Sequence, residues 1–118
     1  LVIGLNTERT LLYQRINQRV EQMLAEGLID EAKWLFKQVE QTAQAAKGIG
    51  YREFWPYFNQ QADLSTTKTQ IQLDSRHYAK RQLTYFRNQL PVSVNWFDLF
   101  NNQNARQEVE QLITTWLV

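Results

Sequence analysis

Apolar residues recur at helical spacing through most of this chain. Leu12, Ile16, Val20, Met23 and Leu24 share one face of a helix expected from about Glu8 to Glu26. Asn6 and Thr7 are its N-cap candidates. Gly27 suits the position just past its end, with Leu28 making the next hydrophobic contact. Leu28, Ala32, Leu35, Phe36 and Val39 form a second stripe, on a helix of about Ile29–Gln41. The short connection makes the two an antiparallel hairpin. Ala45 to Gly50 is a break. A short helix is expected from near Gly50, carrying Tyr51, Phe54 and Trp55, with Pro56 tolerated in its first turns. After a polar connector, Asn59 to Asp63, a long helix runs from about Leu64 to Asn88 and stops before Pro91. A last helix, about Ala105–Leu117, is expected to bury Val109, Leu112, Ile113 and Trp116.

Two segments break the helical period. Val2-Ile3-Gly4-Leu5 is a short run with β-branched residues, and Val92-Ser93-Val94-Asn95-Trp96-Phe97 alternates at a period of two. The fold class is therefore mostly α, with short strands at about 1–5 and 92–97. Lone strands do not stand by themselves. They pair with each other, pair across a strand-mediated dimer, or belong to a sheet outside this chain.

Composition narrows the picture. A chain of 118 residues is one domain's worth and buries a modest core unaided. It has no cysteine, which excludes disulfides and thiolate metal sites and fits a reducing, cytoplasmic setting. No apolar run approaches the ~20 residues of a membrane span, and no signal-peptide pattern is present. Net charge is only +1, so any basic patch is local.

Such a patch lies in the long helix. Between Thr66 and Leu90 stand Lys68, Arg76, Lys80, Arg81 and Arg87 against one acid, Asp74. Arg76, Lys80, Thr84 and Arg87 fall on one side of the helix, while Tyr78, Gln82, Tyr85 and Phe86 fall on the other. This predicts rings packed on a core and cations turned outward. Arg81 lies nearer the packed side. Cations with interleaved rings suit an RNA surface; the same pattern also describes the solvated face of an ordinary amphipathic helix.

Lys47-Gly48-Ile49-Gly50-Tyr51-Arg52 places two glycines before a helix start, where backbone N–H groups favour an anion. A plain glycine loop is the alternative. Arg15 and Arg19 stand one turn apart at the rim of the first apolar stripe. They fit either a pyrophosphate or pairing with Glu21, Glu26 or Glu31. The chain contains no Gly-x-x-x-x-Gly-Lys-Ser/Thr signature. His77, the only histidine, has no evident partner, and the acids show no pairing, so no catalytic constellation emerges.

The ordered motifs resemble a known family. They are Ile3-Gly4-Leu5 with Arg9 and Leu12; Arg15-Ile16, Arg19-Val20, Met23 and Gly27-Leu28; Gly48-Ile49-Gly50-Tyr51-Arg52-Glu53; and Arg76 with Tyr78-Ala79-Lys80-Arg81-Gln82-Leu83-Thr84-Tyr85-Phe86-Arg87, followed by Trp96. Together they look like the C-terminal part of bacterial tRNA dimethylallyltransferases, the tRNA prenyltransferases of the IPP transferase family. Departures are mild: the family often has Arg at His77 and Trp at Tyr85.

The resemblance implies a helical fragment of a P-loop α/β enzyme whose two strand segments belong to the parent sheet. Such enzymes move a dimethylallyl group from its diphosphate to N6 of the adenosine 3′ of the anticodon, with Mg²⁺. The resemblance places Lys47, Gly48, Ile49, Gly50, Tyr51 and Arg52 on the tRNA. It does the same for Lys80, Arg81, Gln82, Leu83, Thr84, Tyr85, Phe86 and Arg87. Arg19, and with it Arg15, falls near the diphosphate. The nucleotide-binding P-loop core, the catalytic Asp and the helical insertion would precede this region. The chain is thus expected to supply surface for the tRNA anticodon arm, to reach dimethylallyl diphosphate only through that core, and to be inactive alone. The rival reading is a non-catalytic structural or protein-interaction domain with a solvated basic face.

Overall fold

The computed structural model describes residues 1–118. The chain folds as strand β1 (Ile3–Leu5), helix α1 (Arg9–Ala25), helix α2 (Leu28–Gln38), a 3-10 turn (Gln44–Lys47), helix α3 (Phe54–Phe58), helix α4 (Leu64–Asn88), strand β2 (Asn95–Phe97) and helix α5 (Ala105–Leu117). It divides into two compact units, one of residues 14–78 and the other of residues 1–13 with 79–118.

The unit of residues 14–78 holds the hydrophobic core: Val20, Leu28, Ala32, Phe54 and Ile71. Gly27 adopts φ 111°, a left-handed conformation that ends α1 and lets α2 start at once. Acids Asp30 and Glu31 open α2 and Lys37 closes it, each in the favourable sense for the helix dipole. The helix stops at Gln38, short of the expected Gln41, because Val39 is already extended. Helix α3 is also shorter than expected. Residues 49–53 are turns, and the helix proper begins at Phe54, with Pro56 in its first turn where a missing N–H costs nothing. The short helix is tied down by rings: Phe54 stacks on Phe58 at 5.6 Å, and Phe36 meets Trp55 at 4.5 Å. Trp55 Nε1 donates to the Ala46 carbonyl at 3.2 Å, fastening the 3-10 turn to it. Asp63 caps α4 by accepting the Thr66 N–H at 2.8 Å.

The other unit contains the sheet. β1 and β2 pair in parallel within the one chain, with Ile3 opposite Asn95, Gly4 opposite Trp96 and Leu5 opposite Phe97. Each regular strand is shorter than the expected segment. A Cβ on Gly4 would lie 2.6 Å from the Trp96 ring, so this strand position needs glycine. The expected caps of α1 are not made. Thr7 donates instead to Asp98 Oδ2 at 2.9 Å, and the Oδ1 atom of Asn6 is buried without a partner. The first α1 bond goes to the Glu8 carbonyl.

Two packing expectations are overturned in this unit. Ile113 and Trp116 of α5 are exposed, and Val109 and Leu112 only half-buried. Tyr78, in the other unit, and Tyr85 and Phe86 here are exposed too, so these rings of α4 do not pack on a core. Ala79 and Leu83 are the less exposed positions of the final turns. Helical spacing sorts residues by side but cannot say whether anything covers that side.

Candidate nucleic-acid interface

Residues 47–52 form a short loop in the core-bearing unit. Lys47, Gly48 and Arg52 are exposed, Ile49 and Tyr51 half-buried, and Gly50 buried. Only Gly50 takes a positive φ, 93°; Gly48 sits at −68° in ordinary extended backbone. The loop does not offer a free backbone donor at the helix start. The Gly50 N–H is already given to Glu53 Oε1 at 2.7 Å, so the protein's own carboxyl occupies that place. Tyr51 donates its hydroxyl to Glu31 at 2.5 Å. That bond, then burial, raises the phenol above its ordinary range.

Glu53 was not among the sequence candidates. Its side chain is 1% exposed, and its second oxygen, Oε2, lies 3.3 Å from Arg52 Nε. The same guanidinium reaches Asp74 Oδ2 on α4 through Nη2 at 3.3 Å. Arg52 thus bridges the two acids, Glu53 and Asp74. Burial pushes Glu53 up to about 7, helped by Asp74. Desolvation pushes Asp74 up as well, but bonds from Glu53, Gln70 and Arg52 outweigh it and hold Asp74 below the usual range. The arrangement is a carboxyl–carboxylate pair closed by one arginine, and the acids expected to be unpaired are here paired. The Gly50–Glu53 spacing is half of a capping box and was readable in the sequence; Asp74, some twenty residues on, left no signal.

Residues 80–87 lie in the other unit. Lys80, Arg81, Gln82, Thr84, Tyr85, Phe86 and Arg87 are exposed, and Leu83 is half-buried. Arg87 rests over the Trp96 ring, 5.5 Å from its centroid. Tyr85 and Phe86 meet edge to face at 5.6 Å. Thr84 turns its hydroxyl back to the Lys80 carbonyl at 3.0 Å. Lys80, Leu83, Thr84 and Arg87 share a cleft of about 190 Å³ with Asn6, Thr7, Arg9, Leu12 and Tyr13. No acid lines it, and none of the four ion pairs of the chain uses Arg9, Lys80 or Arg87. In the sequence, Arg9 stands out only as part of a motif.

The remaining candidates scatter. Arg15 and Arg19 are exposed on α1. Glu21, one of the acids expected to pair with them, takes Lys68 instead at 3.3 Å. Arg76, expected on the outward cation face, donates to Asn17 Oδ1 at 3.0 Å, where Gln72 also bonds the Asn17 carbonyl. No three His, Cys, Asp or Glu side chains gather as a metal site. No helix is long and apolar enough to cross a membrane.

Comparison with known proteins gives consistent matches. The profile of the family described as IPP transferase matches residues 1–89. Over 117 residues the chain is 57% identical to a tRNA dimethylallyltransferase of Limosilactobacillus fermentum, covering 99% of this chain and 38% of that protein. A tRNA dimethylallyltransferase of Pediococcus pentosaceus is 55% identical over 117 residues, with 99% and 37% covered. The solved structure of the tRNA isopentenylpyrophosphate transferase of Bacillus halodurans superposes with a TM-score of 0.89 at 41% identity, covering 98% of this chain and 38% of that one. That of the Staphylococcus epidermidis tRNA delta(2)-isopentenylpyrophosphate transferase gives 0.86 at 33% identity, with the same coverage. The chain thus spans about 38% of the length of the relatives it matches.

Proposed function

The chain belongs to the IPP transferase family, and on that footing we propose that it is the tRNA-contacting, C-terminal part of a tRNA dimethylallyltransferase. The observation that carries this reading is the acid-free cleft wall of Lys80, Thr84 and Arg87, whose two cations have no acidic partner in the chain. Unneutralised cations on an open wall are what a phosphate backbone needs. The exposed Tyr85 and Phe86 rings add apolar faces on which an unpaired base of a loop stacks. Residues 47–52 act from the other unit, with Lys47 as the available charge and Arg52 setting the shape of the loop.

In the reaction proposed for the parent protein, the bond from the dimethylallyl carbon to its diphosphate breaks. A bond to N6 of the adenosine next to the anticodon forms, and N6 gives up a proton. Arg19 and Arg15 are the groups proposed to meet the departing diphosphate. The reading places the base for that proton, and the nucleotide-binding P-loop core, outside the 118 residues. Its residues also do not fit Mg²⁺: Glu53 and Asp74 are both engaged by Arg52, and no three His, Cys, Asp or Glu side chains gather. The exposed Leu5, Leu99, Phe100 and Trp116 are faces for that further protein to cover. The setting proposed is the cytoplasm, where tRNA is found.

The test is titration of the chain with an anticodon stem-loop RNA at several salt concentrations. Binding should weaken steeply with salt, the slope of log K against log salt being roughly −0.7 to −0.9 for each phosphate neutralised. Arg87→Glu should weaken binding at least tenfold. No binding at low salt would return the chain to the rival reading, a structural domain with a solvated basic face.

A further inference from the structure

The cleft beside α4 has a second wall, built by residues 6–13, which no sequence motif assigns to RNA. Arg9 stands on it, exposed and outside every ion pair of the chain. Three cations, Arg9, Lys80 and Arg87, therefore line one hollow with no carboxylate among its nine residues. Cations placed together without a counterion repel one another, so the hollow favours an anion that spreads its charge over several oxygens. The remaining polar lining, Asn6, Thr7, Tyr13 and Thr84, is neutral. At about 190 Å³ the hollow falls below the roughly 300–1,000 Å³ of sites that enclose a whole small molecule. It suits one charged group of a longer molecule.

We propose that this cleft seats a single phosphodiester of the bound RNA strand, and that Arg9 is a binding residue joining Lys80 and Arg87 on it. The proposal rests on the tRNA reading above. Arg87 is held over Trp96 by its ring contact, so it is a fixed post, while Arg9 approaches from the first turn of α1. A guanidinium gives a phosphate two parallel donors, which an ammonium cannot. A free diphosphate offers similar oxygens, and the experiment separates the two sources.

The experiment compares the chain with its Arg9→Gln and Arg9→Lys variants, each first checked for an unchanged far-UV spectrum and denaturation midpoint. Each is titrated with an anticodon stem-loop RNA across a salt series, and then with inorganic pyrophosphate as competitor. Arg9→Gln should weaken RNA binding about five- to twentyfold and lower the salt slope by close to one phosphate's share. Arg9→Lys should recover the slope but only part of the affinity. Unchanged affinity and slope in Arg9→Gln, with the unaltered chain still binding RNA, would overturn the phosphodiester seat and leave the tRNA reading standing. Failure of the unaltered chain to bind RNA at low salt would remove both. Competition by pyrophosphate at low millimolar concentration that Arg9→Gln abolishes, with RNA affinity unmoved, would assign the cleft to a free diphosphate and overturn the proposal.

Discussion

The two segments proposed to contact RNA treat their arginines in opposite ways. In the loop of residues 47–52, Arg52 is closed between Glu53 and Asp74, and the Gly50 N–H is given to the same glutamate. In residues 80–87, Lys80 and Arg87 have no counterion, and Arg87 is supported only by an aromatic ring. The surroundings differ in the same sense. The loop lies in the unit with the closed core, whereas residues 80–87 lie in a unit that leaves Leu5, Phe86, Leu99 and Trp116 exposed. A charge neutralised inside the protein shapes the backbone around it; a charge left bare is available to a partner. Arg52 and Arg87 are the same residue type and each closes a segment singled out by motif, so the neighbours tell these roles apart.

Stability should expose the contrast most strongly. Phe54 is fully buried at the centre of the core, and Phe54→Ala should cost about 3–5 kcal/mol through lost transfer energy and a cavity. Trp116 is 60% exposed on α5, and Trp116→Ala should change stability by no more than about 0.5 kcal/mol. Urea denaturation of both variants measures the pair. Equal losses would mean that the sheet-bearing unit has a core of its own.

The next effect is smaller and depends on pH. Glu53 has its carboxyl raised from an ordinary 4.5 to about 7, so the folded chain keeps a proton that the unfolded chain releases. Its contribution is complete below about pH 4.5 and is lost as pH rises through 7, so stability falls across that window. Asp74, held low, acts in the opposite sense and only below its ordinary range, so the two do not overlap. From about pH 5 to about pH 8 the chain should lose of the order of 2 kcal/mol by this route. Glu53→Gln keeps an oxygen for the Gly50 N–H but cannot titrate, and should flatten that part of the profile. An unchanged profile in Glu53→Gln would dissolve the clamp, and Arg52 would then rank with Arg87 as a bare cation.

What the sequence made legible follows from the range of each interaction. Helices α1, α4 and α5 were readable nearly to the residue because Leu12, Ile16 and Val20, or Val109 and Leu112, repeat at local spacing. That the two strand segments need partners followed from a physical constraint, since neither could stand alone, but the choice among each other, a second copy and an outside sheet came only with the fold. The fates of the groups did not follow. Asn6 and Thr7 have the right chemistry for a cap, yet Asp98, far along the chain, takes Thr7. Tyr85 and Phe86 fall on the side opposite the cations, yet both stay exposed and meet chiefly each other. Glu53 and Asp74, and Arg9 with Lys80, meet only through the fold, and no local pattern encodes those meetings.

The smallest effect tests how the bare arginine is held. The Trp96 ring supports Arg87 without removing its charge, so its part in RNA binding should be one of placement. A cation–π contact at an exposed site is worth about 0.5–1 kcal/mol. Trp96→Leu keeps an apolar side chain opposite Gly4 and removes the aromatic face. RNA affinity should fall about two- to fivefold, while the dependence on salt stays as it was, because the number of cations meeting phosphates is unchanged. Loss of slope along with affinity would mean that Arg87 leaves the phosphate when the ring goes. No change in either would mean that the guanidinium needs no support, and that its exposure alone separates it from Arg52.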